Sequence, residues 1–388
     1  MAITDKEKGV WGLDQVYNKI NQGSIWSYSG SSTEPAALWT WGYNGGGGLG
    51  QNNRTHYSSP VQVGTSSDWQ KFYQQFGIKD DGTAWSFGYN TYGQLGLNNR
   101  TNYSSPTQLP GTWSSGILGG GAMTGAINTD GELFMWGRQN GVNTLKFLND
   151  VDYSSPVQIP GTTWKQGSIV YRNVYWTKTD GTMWAVGSNM YGQLGAHNGG
   201  TGGGNWTTYA RSSPCQIPGT SWSQVSGGTA IRTDGTLWSW GDNQWGCLGQ
   251  NSPYNTGHRS SPVQIPGTNW KRVVSGGYHT RLATKTDGTL WAWGRATYSG
   301  SLGLNDQVHR SSPTQVGTDT TWDRIASSTV YTTMATKTDG TLWMWGSNTT
   351  GVLGQNSQTQ YSSPVQVGSD TSWSSRLYSS NNGGALKL

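Results

Sequence analysis

The sequence predicts an all-β fold, a seven-bladed β-propeller, and two recurring motifs carry the prediction. A Leu-Trp-x-Trp-Gly motif, in intact or weakened copies, ends at Gly42, Gly88, Gly137, Gly187, Gly241, Gly294 and Gly346. A Ser-Ser-Pro motif places its proline at Pro60, Pro106, Pro156, Pro214, Pro262, Pro313 and Pro364. Units of roughly 50 residues that each hold several short strands are typical of propellers. We therefore expect one propeller over residues 37–388, preceded by a separate segment at residues 1–36.

Each unit presents four short strands in a fixed order. The Leu-Trp-x-Trp-Gly strand alternates with a period of two, so its two aromatic positions share one face and are expected to pack between blades rather than stack on sugars. A Gly-rich loop such as residues 89–96 follows, and Ser-Ser-Pro then opens a strand whose proline favours a sheet edge. A lone tryptophan begins two further strands, which lead to an Asp-Gly hairpin turn.

The number of turns predicts how the ring closes. There are seven tryptophan-glycine strands but six Asp-Gly turns, at Asp81, Asp130, Asp180, Asp234, Asp287 and Asp339. The last residue, Leu388, falls where a seventh turn would begin. We therefore expect Ala385–Leu388 to pair with Ala37–Trp41, so that one blade is shared between the two ends. Such closure removes exposed sheet edges.

The composition excludes several classes of protein. Charged residues make up only 12% of the chain, which nevertheless contains 59 glycines and 23 tryptophans, so we expect a folded chain. The net charge is +5 without a basic run, and nucleic acid is not an expected partner. Cys215 and Cys247 are expected to be small buried thiols without a disulfide or a metal. The first ten residues do not have the pattern of a signal peptide, and no apolar run is long enough to span a membrane, so we expect a soluble protein made in a cytoplasm and not inserted in a membrane.

Residues 1–36 do not belong to the repeats. Their apolar residues fall at helical spacing, which predicts an amphipathic helix of two turns with one apolar stripe. The stripe and the residues just ahead of it are Val10, Trp11, Leu13, Val16, Tyr17 and Ile20. We expect this stripe to anchor the segment, either on the propeller itself or on another protein chain.

Two resemblances follow from these residues. Units such as Thr179–Trp184 with Gly187–Gly195, whose Gly-Gln-Leu-Gly core recurs at residues 93–96, resemble the repeat of the regulator-of-chromosome-condensation family. That resemblance covers about residues 37–388, departs most at residues 141–145, and implies a seven-bladed propeller with no cofactor. Family roles are diverse and include nucleotide exchange on a small GTPase, chromatin docking, enzyme inhibition and scaffolding.

The second resemblance concerns the first segment. Lys8–Ile20 with Gly23–Trp26 is similar to a short segment of structural proteins of tailed bacteriophages. This resemblance implies that residues 1–36 bind other virion proteins.

Catalytic motifs are not expected. The histidines are His56, His197, His258, His279 and His309, and they show no Ser/His/Asp or His-x-x-x-His arrangement. Three of them, His56, His258 and His309, share the position two residues before Ser-Ser-Pro, but separate blades are expected to hold them too far apart for a metal site. The Gly-rich stretches lack the Gly-Lys-Ser/Thr of a phosphate-binding loop. The aspartate of each Asp-Gly pair is expected to be a turn residue.

Two features are candidate binding sites. The residue before Ser-Ser-Pro is always tyrosine or arginine, types that are enriched at interfaces. This ring of seven residues consists of Tyr57, Tyr103, Tyr153, Arg211, Arg259, Arg310 and Tyr361. Each member either packs on its own Gly-rich loop or contacts a partner. The insertion at residues 197–210 presents Asn205, Trp206 and Tyr209 among glycines, and we consider it as a contact for a host-surface receptor or glycan.

These observations predict a non-enzymatic virion structural protein of a tailed bacteriophage. Residues 1–36 would attach it to the particle, where it would be oligomeric, and the propeller would be displayed as a tail or neck appendage, a decoration or a receptor-contacting module. The alternative is a soluble protein-binding propeller that acts as an exchange factor or an enzyme inhibitor. A hydrolase would require converging carboxylates in a pocket.

Overall fold

The chain divides into two units, Met1–Glu34 and Pro35–Leu388. The computed structural model describes residues 36–388 except 74, 118–121, 139–150, 171, 198–208, 277–278, 297–298, 328–330 and 380–381. The helix predicted in the first segment, with its six anchor residues, lies outside the described residues. Within the described ranges, no helix has the length and apolar character that a membrane span requires.

The described chain forms 28 strands in seven four-stranded antiparallel sheets, which confirms the predicted seven-bladed propeller. Blade 1 begins with β1 (Ala37–Gly42) and β2 (Tyr57–Gln62). Blade 2 contains β3 (Trp69–Tyr73), β4 (Phe76–Lys79), β5 (Ala84–Gly88) and β6 (Tyr103–Leu109). Blade 3 contains β7 (Trp113–Ile117), β8 (Met123–Asn128), β9 (Leu133–Gly137) and β10 (Tyr153–Ile159). Blade 4 contains β11 (Trp164–Val170), β12 (Asn173–Lys178), β13 (Met183–Gly187) and β14 (Arg211–Ile217).

The remaining strands complete the ring. Blade 5 contains β15 (Trp222–Ser226), β16 (Thr229–Arg232), β17 (Leu237–Gly241) and β18 (Arg259–Ile265). Blade 6 contains β19 (Trp270–Ser275), β20 (Thr280–Lys285), β21 (Leu290–Gly294) and β22 (Arg310–Gln315). Blade 7 contains β23 (Trp322–Ser327), β24 (Thr332–Lys337), β25 (Leu342–Gly346) and β26 (Tyr361–Gln366). The last two strands, β27 (Trp373–Ser379) and β28 (Asn382–Lys387), join blade 1.

Each blade runs from the centre of the ring outwards. The strands that begin at the lone tryptophans contact one another around the ring, β3 with β7 and so on to β27 with β3, so they are the innermost strands. The Ser-Ser-Pro strands lie at the opposite edge of every sheet, as their prolines predict.

The ring closes as predicted. Strand β28 pairs with β1 over six residues, from Ala37 opposite Lys387 to Gly42 opposite Asn382, and Leu38 lies opposite Leu386. Both leucines are fully buried. The closing strand begins three residues earlier than the sequence indicated, at Asn382.

Aromatic side chains fill the interfaces between blades. Each of seven hydrophobic clusters joins one blade to the next. Between blades 5 and 6, for example, Leu237 and Ile265 pack against Trp270 and Trp293, whose ring centroids are 6.3 Å apart. A buried tryptophan removes about 150–250 Å² from water, so these clusters supply most of the force that holds neighbouring blades together.

The second tryptophan of the Leu-Trp-x-Trp-Gly strand also makes a hydrogen bond to the preceding blade. The Trp293 indole N–H donates to the Cys247 carbonyl at 3.0 Å, and Trp345 donates likewise to the Ser301 carbonyl at 3.2 Å. Trp41, Trp136 and Trp240 make the same bond. The acceptor is always the residue before leucine in the Gly-x-Leu-Gly part of the preceding loop. The Leu-Trp-x-Trp-Gly strand therefore supplies the donor, and the Gly-x-Leu-Gly loop of the preceding blade supplies the acceptor, of one hydrogen bond between blades.

Two blades lack this tryptophan and compensate differently. Blade 2 has Phe87, which offers no donor, and the Gly48 carbonyl accepts instead from the Asn382 side-chain amide at 2.8 Å. Blade 4 has Val186, and Trp176 from the neighbouring strand is fully buried in its place, 5.7 Å from Trp164. The first exchange gives the Gly48 carbonyl a donor from its own blade, and the second keeps the interface between blades 3 and 4 filled.

The glycine that ends the motif is a steric requirement. Gly294 has a φ of 90°, and a Cβ there would overlap the His279 carbonyl oxygen. The left-handed backbone and the close approach together explain why only glycine ends these strands.

The Asp-Gly turns carry a repeated polar arrangement. Asp287 accepts hydrogen bonds from the backbone N–H and hydroxyl of Thr289, whose oxygen accepts in turn from the Trp291 indole at 2.8 Å. The Lys285 ammonium lies over two rings, 4.8 Å from Trp270 and 4.2 Å from Trp291. Hydrogen bonds from Thr289 lower the pKa of Asp287, which is a turn residue as predicted. The equivalent cations are Lys79, Lys178, Arg232, Lys337 and Lys387.

Both cysteines are free thiols. Cys247 is fully buried, as expected, but the expectation was wrong for Cys215, which is only partly buried. Cys215 lies on the outermost strand β14, where one face of the strand remains accessible.

We predict that Trp293→Phe lowers the free energy of unfolding by at least about 1 kcal/mol more than Trp291→Phe does. Both changes replace indole by phenyl, but only the first leaves a buried carbonyl, that of Cys247, without its donor. Urea unfolding monitored by circular dichroism measures the difference. Equal losses for the two variants would show that the bond between blades contributes nothing.

Candidate functional site

The two faces of the propeller differ in chemistry. The turn face consists of the Asp-Gly turns and of cations that each lie between two tryptophan rings; turn and cation occur together in blades 2, 4, 5, 6 and 7. The loop face consists of the segments between the third and fourth strands of each blade. Tyr57 and its equivalents begin the outermost strands at this face, opposite the glycine that ends the third strand.

The tyrosines of the predicted ring are partly buried against their own blades. The Tyr57 hydroxyl accepts a hydrogen bond from the Asn53 side chain at 3.1 Å, and the Tyr103 hydroxyl accepts from Asn99 at 3.2 Å. Tyr153 and Tyr361 pack on hydrophobic clusters between blades. The hydrogen bonds of Tyr57 and Tyr103 lie within their own loops, as in one of the two alternatives that the sequence left open, whereas Tyr153 and Tyr361 pack at the interfaces between blades.

The arginines of the ring differ from one another. Arg310 donates to the Val308 carbonyl at 2.8 Å and forms an ion pair with Asp306. Arg211 and Arg259 are exposed, and neither forms a side-chain hydrogen bond or an ion pair with the part of the chain that the structure describes. The ring therefore offers two open cations, on the adjacent blades 4 and 5.

The predicted receptor loop is described only at its end. Asn205 and Trp206 lie outside the described residues. Tyr209 is 40% exposed and stands two residues before Arg211, so one aromatic side chain of the insertion faces solvent beside an open arginine. Its role in binding a receptor or glycan stays a prediction.

Exposed apolar side chains concentrate on the loop face. Six large hydrophobic residues are exposed among the described residues, and the last of them is the terminal Leu388. The other five all lie between a third and a fourth strand: Tyr89, Val151, Tyr209, Tyr254 and Val308. They lie one in each of blades 2 to 6, and three of them are tyrosines, a residue type that is enriched in interfaces.

The loop face also contains a cavity of about 390 Å³ between blades 4, 5 and 6. Its ionisable wall is formed by Asp242, His279, Arg281 and Arg295. Its aromatic wall is formed by Tyr175, Tyr191, Trp240 and Trp245. The volume lies within the range of small-molecule sites, about 300–1,000 Å³.

The repeats provide an internal comparison for these residues. Asp242 directly follows the glycine of its motif, a position that holds Tyr43, Tyr89, Arg138, Ser188, Arg295 or Ser347 in the other blades. Arg281 lies opposite Trp293, and the residues in the matching position of blades 1, 3, 4 and 7 are Gly383, Thr124, Val174 and Thr333. A carboxylate and a guanidinium that occur in one blade each therefore meet in one cavity. The fold does not require them, because the other blades form without them.

Burial sets the charge states in the cavity. Burial raises the pKa of Asp242, while a hydrogen bond from the Gln244 backbone and the nearby positive charges oppose the rise. Burial, with Arg281 and Arg295 beside it, lowers the pKa of His279 to about 3. His279 is therefore neutral at pH 7, and the distance of 3.6 Å from its Nδ1 to the Asp242 carboxylate is not an ion pair.

His258 is also not an ion-pair partner of Asp242. Its Nδ1 lies 3.2 Å from the carboxylate, but the same nitrogen accepts the Asn243 backbone N–H at 3.0 Å. An accepting nitrogen carries no proton, so Nδ1 cannot also donate to the Asp242 carboxylate. His56 and His309 accept equivalent backbone N–H groups in their own blades, which explains the position the three histidines share.

Asp242, His279 and Cys247 resemble a catalytic triad only in composition. The Cys247 thiol lies 3.9 Å from His279 Nδ1, the same nitrogen that faces Asp242. A relay requires the base to contact the nucleophile and the carboxylate through different nitrogens. Burial also raises the pKa of Cys247 to about 11, so its nucleophilic thiolate is disfavoured. Among the described residues no group of three or more His, Cys, Asp or Glu is arranged to hold a metal ion.

The sequence comparison supports the repeat type. The model of the regulator of chromosome condensation (RCC1) repeat matches residues 81–122, 234–282 and 339–375. The chain is 33% identical over 150 residues to the mouse X-linked retinitis pigmentosa GTPase regulator, covering 37% of this chain and 15% of that protein. It is 28% identical over 211 residues to the ultraviolet-B receptor UVR8 of Arabidopsis thaliana, covering 51% of this chain and 44% of that protein. The chain thus spans less than half the length of these relatives.

Solved structures show the same fold. Prp20p from Saccharomyces cerevisiae superposes with a TM-score of 0.77 at 16% identity, over 92% of each chain. Human WBSCR16 superposes with a TM-score of 0.74 at 17% identity, over 91% of this chain and 98% of that one. At such identities the likeness concerns the fold alone.

We predict that His279→Asn reduces the loss of stability on acidification. The folded protein keeps His279 neutral down to about pH 3, whereas the unfolded chain binds a proton near pH 6.5, so His279 makes the wild type lose stability as the pH falls between these values. Asparagine also tolerates the φ of 68° at this position.

Thermal midpoints between pH 7 and pH 3.5 measure the effect. His56→Asn is the matched control, because Asn102 already makes the equivalent hydrogen bond in blade 2. A pH profile of His279→Asn that parallels the wild type would contradict the assignment of a buried neutral histidine.

Proposed function

We propose that this propeller of RCC1 repeats is a non-enzymatic protein-binding module. Its partner binds to the loop face. The observation that carries the proposal is the gathering of exposed apolar side chains on that face. Five large hydrophobic residues project there, including Tyr89, Tyr209 and Tyr254. A partner that covered them would gain burial of apolar area, which is the main favourable term in protein association.

Two exposed arginines favour blades 4 and 5 as the centre of the contact. Arg211 and Arg259 begin neighbouring outermost strands, and Tyr209 and Tyr254 lie in the loops that lead to them. Tyrosine and arginine are the residue types that most often dominate binding energy. An acidic patch on the partner would complement the two guanidinium groups.

The relatives support a protein partner. One of them is named a GTPase regulator, and a regulator of a GTPase acts on another protein. Prp20p has binding properties toward Gsp1p and histones, so this fold accommodates protein partners. The geometry of Cys247, His279 and Asp242 supports a non-enzymatic role, because it provides neither an activated thiolate nor a relay.

The predicted role in a virion is more specific than protein binding, and it rests on residues 1–36. In that setting the first segment attaches the propeller to a phage particle, and the loop face meets a further virion protein or a host receptor. Mass spectrometry of purified particles from the source phage tests it. Recovery of peptides from this chain in stoichiometric amounts supports the proposal, and their absence from the particles contradicts it.

Charge removal on the two faces tests the binding face. We predict that Arg211→Ala with Arg259→Ala weakens binding to the partner at least about tenfold, because exposed interface arginines are frequent hot spots. The control is Lys165→Ala with Lys271→Ala, which removes two exposed cations at the turn-face ends of the innermost strands β11 and β19, one of them, Lys271, paired with Asp323 at 3.1 Å. The partner is first isolated by affinity purification with the full chain, and its dissociation constants are then measured by surface plasmon resonance.

The outcomes separate the two faces. Weakening by the control pair but not by Arg211 and Arg259 would move the binding site to the turn face. Equal binding of both double variants and the wild type would exclude both sets of cations and contradict the proposal.

A further inference from the structure

We propose that the cavity between blades 4, 5 and 6 is a binding site for a monoanionic carboxylate, held by Arg281 against the aromatic wall. This inference does not rest on the proposed protein-binding function. It concerns a site that the isolated chain presents by itself.

Arg281 is a buried cation without a counter-ion in contact. Its side chain is 8% exposed, yet it lines the cavity. Its hydrogen bond runs from Nη1 to the neighbouring Thr280 carbonyl at 3.1 Å, while Nε has no partner among the described residues. Asp242 shares the cavity, but none of the ion pairs between described residues includes Arg281. Buried charges are normally paired, so an unpaired guanidinium at a cavity wall indicates a site for an anion.

The position of Arg281 has no structural reason within the repeat. The matching residues opposite the second aromatic position are Thr124, Val174 and Thr333 in blades 3, 4 and 7. Those blades close their interfaces without a charge at this point. Arg295 differs in this respect, because its guanidinium stacks 4.7 Å above Trp245 just as Arg138 stacks 4.6 Å above Tyr92.

The charge balance selects a monoanion. Arg281 and Arg295 supply two positive charges, Asp242 supplies one carboxylate, and His279 is neutral, so the ionisable wall holds one positive charge in excess. A carboxylate cancels that excess and matches the planar fork of a guanidinium. A phosphate dianion would bring two negative charges against one excess positive charge, and Asp242 would repel it.

The aromatic wall selects a flat or apolar body behind the carboxylate. Tyr175, Tyr191, Trp240 and Trp245 line the same cavity, and its volume of about 390 Å³ accepts a single ring. Two sources offer this chemistry, a free aromatic acid or an acidic side chain of a bound protein.

Isothermal titration calorimetry with sodium benzoate tests the site, using benzamide as the uncharged probe of the same shape. We expect saturable binding of benzoate and at least tenfold weaker binding of benzamide. N-acetyl-glutamate amide distinguishes the sources, because binding tighter than that of benzoate identifies an acidic side chain and weaker binding identifies a free aromatic acid. Equal binding of benzoate and benzamide, or no saturable binding of either carboxylate, would overturn the proposal.

Variants assign the interaction to Arg281. We expect Arg281→Met to lose carboxylate binding at least tenfold while its thermal midpoint stays equal to or rises above that of the wild type, because an unpaired buried charge is removed. Arg232→Met, which removes a cation from the turn face, is expected to leave benzoate binding unchanged. A folded Arg281→Met protein that binds benzoate as the wild type does would overturn the proposal. A fall in its midpoint, with Arg281→Lys equally unable to bind, would assign Arg281 a structural role instead.

Discussion

The contact between an aromatic side chain and the loop of the preceding blade is the constraint on which the ring depends. Trp293 is fully buried, packs on Leu237 and Ile265, and donates to the Cys247 carbonyl. Packing alone is tolerant of orientation, whereas the indole N–H fixes where the next blade sits relative to the last. Where the indole is missing, other residues replace part of its role: at Phe87 an amide of the preceding blade satisfies the Gly48 carbonyl, and at Val186 the buried Trp176 fills the space. The ring thus specifies the spacing of its blades locally, one interface at a time.

Much of this fold could be predicted from the sequence, because the same motifs recur in seven units and each copy supports the interpretation of the others. The strands, the edge position of Ser-Ser-Pro and the pairing of the two ends follow from motif counts, and Leu38 opposite Leu386 confirms the pairing. The lysine or arginine between two tryptophan rings was missed, although a Lys-Thr-Asp-Gly pattern precedes several motifs. The exchange of Val186 for Trp176 was not predictable, because it depends on which strand faces the same gap.

The cavity was missed for a different reason. Asp242, His279 and Arg281 are separated along the chain and belong to two blades, so spacing rules for catalytic motifs do not bring them together. An alignment of the repeats, position by position, would have found them, because Asp242 and Arg281 each differ in charge from the residues at the matching positions of the other blades. In a repeat protein, residues that occur in one unit only indicate a functional site, whereas residues that recur in every unit mainly serve packing. The predicted ring of tyrosines and arginines illustrates the contrast, since five of its seven members are held by their own loops or by the packing between blades.

The two faces therefore differ in the number of sites they offer. The turn face repeats the same pair of rings and cation in six blades, so any ligand that recognised it would find six similar positions. The loop face breaks the repetition at blades 4, 5 and 6, which line the cavity, and the open Arg211 and Arg259 begin the outermost strands of blades 4 and 5. A departure that occurs once in the ring specifies one site. The repeated residues form the rigid propeller. A ligand or partner can bind it in one orientation only where the residues of one blade differ from those of the others.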